Sequence, residues 1–229
     1  MKTIGMIGGL TWHSTLDYYR LLNELTNKKL GGTHAATIFL YSVDFAEIEV
    51  LTKKQDWDAI AIIICKAAKA VETAGAGCLL IGANTMHKIA DEVQAAVSIP
   101  VIHIADAVAA AIRAKGLQKV ALLGTKYTMQ LDFYRNRLSG AGIEVVIPGE
   151  ADIELINDTI YNEFSKGIFL PERKTQFLQI IETLRLQGAE GVILGCTEIP
   201  ILVKQSDCSI AVFDTTFIHA EAAVNFAGE

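Results

Sequence analysis

Strand-length apolar runs alternate with helix-length amphipathic segments along the chain, and the loop motifs that follow two of these runs recur a little over 110 residues later. With 229 residues of 51% hydrophobic composition, these two observations predict an α/β protein of two similar domains. Each domain is expected to be a mainly parallel sheet flanked by helices, because parallel strands need helical crossovers and are buried on both faces. The expected arrangement relates the two domains by pseudo-twofold symmetry, with the site in the cleft between them.

Residues 3–7, 37–43, 78–81, 101–104, 120–123, 192–194 and 211–213 are short runs rich in β-branched and apolar side chains, and they read as strands. The first ends in Gly8-Gly9 and is echoed by Lys119-Val120-Ala121-Leu122-Leu123-Gly124-Thr125, an offset of 116 residues from Gly8 to Gly124. The third runs into Gly82-Ala83-Asn84-Thr85 and is echoed by Leu194-Gly195-Cys196-Thr197-Glu198, an offset of 113 from Ala83 to Cys196. Ser98-Ile99-Pro100-Val101 is echoed by Ser209-Ile210-Ala211-Val212, an offset of 111. Order and spacing are both nearly kept, which assigns residues 1–103 plus 213–229 to the first domain and 104–212 to the second. Parallel strands present their carboxyl ends on one edge, where ligands bind in open α/β sheets. The repeated loops therefore occupy site-forming positions.

The net charge of −6, with no basic cluster longer than Lys28-Lys29 or Lys53-Lys54, argues against a nucleic-acid partner. No apolar run reaches the roughly 18–20 residues that span a bilayer, and the first residues enter an apolar run without the regions of a signal peptide. A cytoplasmic protein with no membrane partner is expected. Cys65, Cys78, Cys196 and Cys208 form no CxxC or Cys/His array, so free thiols and no metal are expected. Neither GxGxxG nor GxxxxGK[ST] follows Gly8-Gly9, and no GxSxG or HExxH pattern occurs.

Chemistry therefore concentrates on the repeated loops. Cys196, past an apolar strand and before a helix start, is placed where backbone N–H groups and a helix dipole favour the thiolate. Its pKa is expected to fall from about 8.5 towards neutrality, which suits a general base. Cys65 and Cys78 read as buried, inert thiols and Cys208 as an exposed one. Asn84, Thr85, Thr125, Thr128 and Thr197 are short polar groups beside strand ends that can grip a carboxylate or act as N-caps. His87 reads as a packing or supporting residue.

At these residues the chain resembles the aspartate/glutamate racemase family over essentially its full length. The matching elements are Ile4-Gly5-Met6-Ile7-Gly8-Gly9-Leu10, Tyr18-Tyr19, Ser42-Val43-Asp44, Asn84-Thr85-Met86-His87, Ala121-Leu122-Leu123-Gly124-Thr125 and Gly195-Cys196-Thr197-Glu198-Ile199. The resemblance implies a homodimeric racemase acting on aspartate or glutamate without cofactor. Two cysteines on opposite faces of the substrate would then remove and return the α-proton. It further implies that Leu10, Asn84, Thr85, Thr125, Thr128 and Thr197 contact the substrate. Lys166 matches a position that pairs with a substrate carboxylate in some members, and it reads equally well as a surface lysine.

The chain departs from the pattern at Ala83, where the family motif has cysteine or occasionally threonine. Alanine neither accepts nor donates a proton, so the resemblance implies an impaired or one-sided racemase in which Cys196 is the remaining acid/base. A deliberate substitution, a natural loss and one-sided chemistry all remain open as its origin. Two other functions stay open: a single-cysteine decarboxylase or isomerase of small dicarboxylates, and a non-catalytic protein that binds a dicarboxylic amino acid.

Overall fold

The computed structural model describes all 229 residues, which divide into two compact units, Met1–His103 with His219–Glu229, and Ile104–Ile218. The first contains β1 (Ile4–Gly8), α1 (Trp12–Leu30), β2 (Ile38–Ser42), α2 (Phe45–Lys54), α3 (Trp57–Thr73), β3 (Cys78–Ile81), a 3₁₀ turn (Thr85–Ile89) and α4 (Ala90–Ala96). Its sheet has the order β2-β1-β3 and every pairing is parallel.

Alternation along these strands sorts side chains onto two covered faces. Ile4 and Met6 of β1 and Cys78 and Leu80 of β3 pack with Tyr18 and Leu22 of α1. Ile7, Leu79 and Ile81 point the other way and pack with Ile60, Ile64 and Ala68 of α3. Successive strand residues face opposite sides, so a run apolar at every position is what a sheet covered on both faces requires. The helices start where short polar groups cap them: Thr11 accepts from the Ser14 N–H, Asp44 from Ala46 and Asp56 from Ala59.

The second unit contains α5 (Ile104–Ala114), β4 (Lys119–Gly124), α6 (Lys126–Gln130), α7 (Asp132–Gly140), β5 (Glu144–Val146), α8 (Glu150–Asn162), α9 (Pro171–Leu186), β6 (Gly191–Gly195), α10 (Ile199–Leu202) and β7 (Ala211–Asp214). It also holds the start of α11 (Thr215–Ala227), whose residues from His219 onward belong to the first unit. The sheet order is β5-β4-β6-β7, again all parallel. Its centre is buried throughout: Leu122, Leu123, Ile193 and Leu194 share a core with Tyr134, Phe164, Phe177 and Phe213. The fold is thus α/β, with two parallel sheets flanked by helices.

Two elements differ from the expectation. Residues 101–104 form no strand: Val101 makes a single bridge to Leu79, and α5 already begins at Ile104. The segment does run beside β3, since the Leu79 N–H donates to the Pro100 carbonyl and the Ile102 N–H to the Leu79 carbonyl, both at 2.9 Å. The early helix start leaves no length for a ladder. Conversely, β5 has no counterpart among the expected strands, because three residues at a sheet edge leave too short an apolar signature.

Candidate active site

In both units the loops singled out above leave the carboxyl ends of adjacent parallel strands. In the first unit, β1 passes through Gly8 and Gly9 into Leu10 and Thr11, while β3 passes through Gly82 into Ala83, Asn84 and Thr85. Gly9 has φ +77°, and a Cβ there would overlap the Val43 carbonyl, so the turn excludes other residues on two counts. The Gly9 N–H donates to Thr15 Oγ1 at 2.8 Å, which ties the turn to the first turn of α1. Leu10, Asn84 and Thr85 are buried; Ala83 is half-buried.

Three buried histidines support this loop. His87 Nδ1 lies 2.8 Å from the Ala83 carbonyl, which can only accept, so Nδ1 carries the proton. The His87 ring meets His103 edge-on at 4.6 Å and His219 at 5.4 Å. His219 Nε2 lies 2.6 Å from the Ile102 carbonyl and therefore donates, which leaves Nδ1 to accept from the Tyr18 hydroxyl at 2.8 Å. Burial above all, with His87 nearby, pushes the His219 pKa down to about 3. His87 is thus a supporting residue that holds the backbone at Ala83.

In the second unit, Gly124 and Gly195 are partners in the β4–β6 register. A Cβ on Gly124 would lie 2.6 Å from the Gly195 carbonyl oxygen, and one on Gly195 would lie 2.9 Å from that of Leu123. This close approach brings the next residues, Thr125 and Cys196, out of the sheet side by side. Thr125 is the N-cap of α6: its Oγ1 accepts from the Thr128 N–H at 3.3 Å and lies 3.2 Å from Thr128 Oγ1. Thr125, Thr128, Cys196 and Thr197 are all buried. Lys166 is exposed in a 3₁₀ turn (Phe164–Lys166) and makes no ion pair, so its side chain is not joined to this group by any bond.

The expectation for the Cys196 thiol is overturned. Backbone N–H groups of Glu198 and Ile199 do act to lower its pKa, as the strand-to-loop position implied. Burial outweighs them, and the charge and hydrogen bond of Glu198 act in the same raising direction, so the thiol lies well above its ordinary value. Cys196 is 7% exposed, and a thiolate there would lose most of its hydration. The resting group is a neutral S–H. Burial likewise raises Cys78, to about 11, and it raises Cys65 and Cys208, both of which are half-buried.

Glu198 belongs to the Gly195-Cys196-Thr197-Glu198-Ile199 motif but was given no role there, and it joins this group. Cys196 Sγ donates to Glu198 Oε2 at 3.0 Å, and Thr197 Oγ1 donates to the same oxygen at 2.7 Å. Only 4% of Glu198 is exposed. The available signal was a carboxylate two residues past a cysteine and directly before the apolar Ile199-Pro200-Ile201-Leu202, a position that a merely solvated charge does not favour.

Two parallel sheets flanked by helices, with a buried cysteine, hydroxyls and a carboxylate at the end of a central strand of the second, define an α/β protein with a candidate small-molecule site. The chain belongs to the Asp/Glu/hydantoin racemase family, whose model matches residues 7–223. It is 47% identical to a candidate Asp/Glu racemase from Yersinia pestis, with TM-score 0.93 and full coverage of both chains. An aspartate racemase homologue from Pyrococcus horikoshii is 41% identical, also over both whole chains, with TM-score 0.88. The broad specificity amino-acid racemase RacX of Bacillus subtilis is 25% identical over 97% of this chain and 96% of its own.

Proposed function

We propose that this chain is an impaired amino-acid racemase of acidic amino acids, aspartate or glutamate, in which Cys196 moves the α-proton on one face without pyridoxal phosphate and water slowly supplies the proton on the other. The observation that carries this reading is Cys196, held beside Thr125 and hydrogen-bonded to a carboxylate at the end of a central strand. Thr125, Thr128 and Thr197 supply hydroxyls for the substrate's polar groups, and Leu10, Asn84, Thr85 and Lys166 are its further contacts. Ala83 stands at the position equivalent to Cys196 by sequence offset and offers a methyl group where a second acid or base belongs.

A positioned acid or base contributes about 10²- to 10⁴-fold, so the loss of one leaves slow turnover. Deuterium should wash from solvent into the α-position of one enantiomer of aspartate or glutamate much faster than the other enantiomer forms. Cys196→Ser should abolish that exchange, and Ala83→Cys should raise racemisation by about 10²-fold or more. Equal exchange into both enantiomers, or exchange that survives Cys196→Ser, would sink the reading. Binding of the amino acid with no exchange would favour a binding protein instead.

The working form is a homodimer. Trp12, Leu16 and Tyr19 are exposed at helical spacing along one face of α1, and Leu40 is exposed on the edge strand β2. Leu40 lies on the α1 side of the sheet, since a Cβ on Gly8 would meet both it and Thr15 within 2.8 Å. An apolar face beside an unpaired edge is the surface that a second copy covers. Sedimentation should give a dimer that Leu16→Glu or Leu40→Glu converts to monomer; a monomeric parent protein would remove this part of the proposal.

A further inference from the structure

The chain leaves the first unit after His103 and re-enters it at His219. Both of these histidines are buried, and both rings lie against that of His87, with centroids 4.6 and 5.4 Å away. Burying three imidazoles costs desolvation that leucines of similar size would not, so packing alone gives no reason for them. Their hydrogen bonds supply one.

We propose that Tyr18, His219 and His87 act in series as positioning residues for the loop Ala83-Asn84-Thr85, tying it to both points at which the chain passes between the units. The Tyr18 hydroxyl, 2.8 Å from His219 Nδ1, and the Ile102 carbonyl, 2.6 Å from Nε2, hold both nitrogens of one ring. That ring cannot turn without giving up two buried hydrogen bonds. Burial keeps it neutral, with a pKa of about 3, so neither bond changes direction in the neutral range. His219 therefore presents a fixed wall to His87, and His103, next to Ile102 in the chain, presents a second. Confined by the two, His87 aims its Nδ1–H at the Ala83 carbonyl from 2.8 Å. A peptide group is planar, so a fixed Ala83 carbonyl also fixes the Asn84 N–H and the direction in which the chain enters Asn84. From the other side, the Gly82 N–H donates to the Ile7 carbonyl at 2.9 Å, so the loop is pinned on both flanks of Ala83.

The substrate side of this assignment rests on the racemase reading, in which Asn84 and Thr85 contact the amino acid; the bond series itself does not. Two consequences separate positioning from a mere contribution to stability. Cys196 lies on another loop, so a displaced Ala83 loop should weaken binding without halting exchange at saturation. A base restored at position 83, in turn, should work only when that loop is in place.

The test combines nitrogen NMR of isotope-labelled histidines with α-proton exchange, both on the whole protein. In the parent, His87 should show a protonated Nδ1 and His219 a protonated Nε2. His219→Leu, which roughly keeps the volume and removes both bonds, should leave His87 in mixed tautomers. It should also raise KM for exchange about 10-fold, with kcat within a few-fold of the parent. In the Ala83→Cys protein, adding His219→Leu should remove most of the gain in racemisation. His219→Gln, which can still donate to the Ile102 carbonyl, should restore part of each property. An unchanged His87 tautomer or an unchanged KM in His219→Leu would overturn the assignment and leave the racemase reading standing, as would a full Ala83→Cys gain in its presence. Absence of exchange in the parent would overturn the racemase reading instead, and the histidine spectra then decide the bond series alone. Should His219→Leu fail to fold, Tyr18→Phe removes a single oxygen from the series and is judged by the same outcomes.

Discussion

His219 shows how a single buried residue sets the response of this protein to acid. Its pKa is about 3, against an ordinary 6.5, so between those values the unfolded chain binds a proton that the folded chain refuses. Stability from this residue is therefore complete above about pH 6.5 and is lost as pH falls towards 3, by at most about 1.4 kcal/mol per pH unit. Urea unfolding between about pH 6.5 and 4 should show this slope, and His219→Gln should flatten it. An unchanged slope in the variant would remove His219 as its cause. Residue identity and spacing alone mark out Cys196, Thr125 and Ala83, because each stands at a fixed place after an apolar run. The state of the thiol is not legible in the same way. It depends on how much water is excluded and on which oxygen points at sulfur, and neither quantity is local in sequence.

The elements that carry the site are strand ends pressed together by glycine. Gly124 and Gly195 leave no room for a side chain between β4 and β6, since added Cβ atoms would lie 2.6 and 2.9 Å from carbonyl oxygens of the backbone. Gly124→Ala should accordingly destabilise the protein by about 1–3 kcal/mol. It should also slow α-proton exchange, because Thr125 and Cys196 would be pushed apart. A variant with parent stability in urea and parent exchange would show that the close approach is dispensable. The central strands were legible from continuous apolar runs. β5 was not, because Glu144–Val146 is short and takes its strand character from pairing with β4. Residues 101–104 read as a strand for the opposite reason: their composition is apolar, but α5 claims Ile104.

At the scale of the molecule, each unit carries its own core. Ile64 is fully buried between α3 and the first sheet, and Phe177 is fully buried in α9 against the second. Truncation should cost about 2–5 kcal/mol for Ile64→Ala and about 3–5 kcal/mol for Phe177→Ala, measured by denaturant unfolding. Costs below about 1 kcal/mol would mean that the cores repack freely. The sequence alone determined the α/β class and the parallel character of the sheets, and it carries the 113-residue offset from Ala83 to Cys196. Hydrophobic period and residue offset are properties of the chain itself. Only the tertiary structure decided that Cys196 rests as a neutral thiol against Glu198, that His87 holds the Ala83 carbonyl and that His219 refuses a proton. Those outcomes follow from desolvation and hydrogen-bond geometry, which arise only when distant segments close around a group and exclude water.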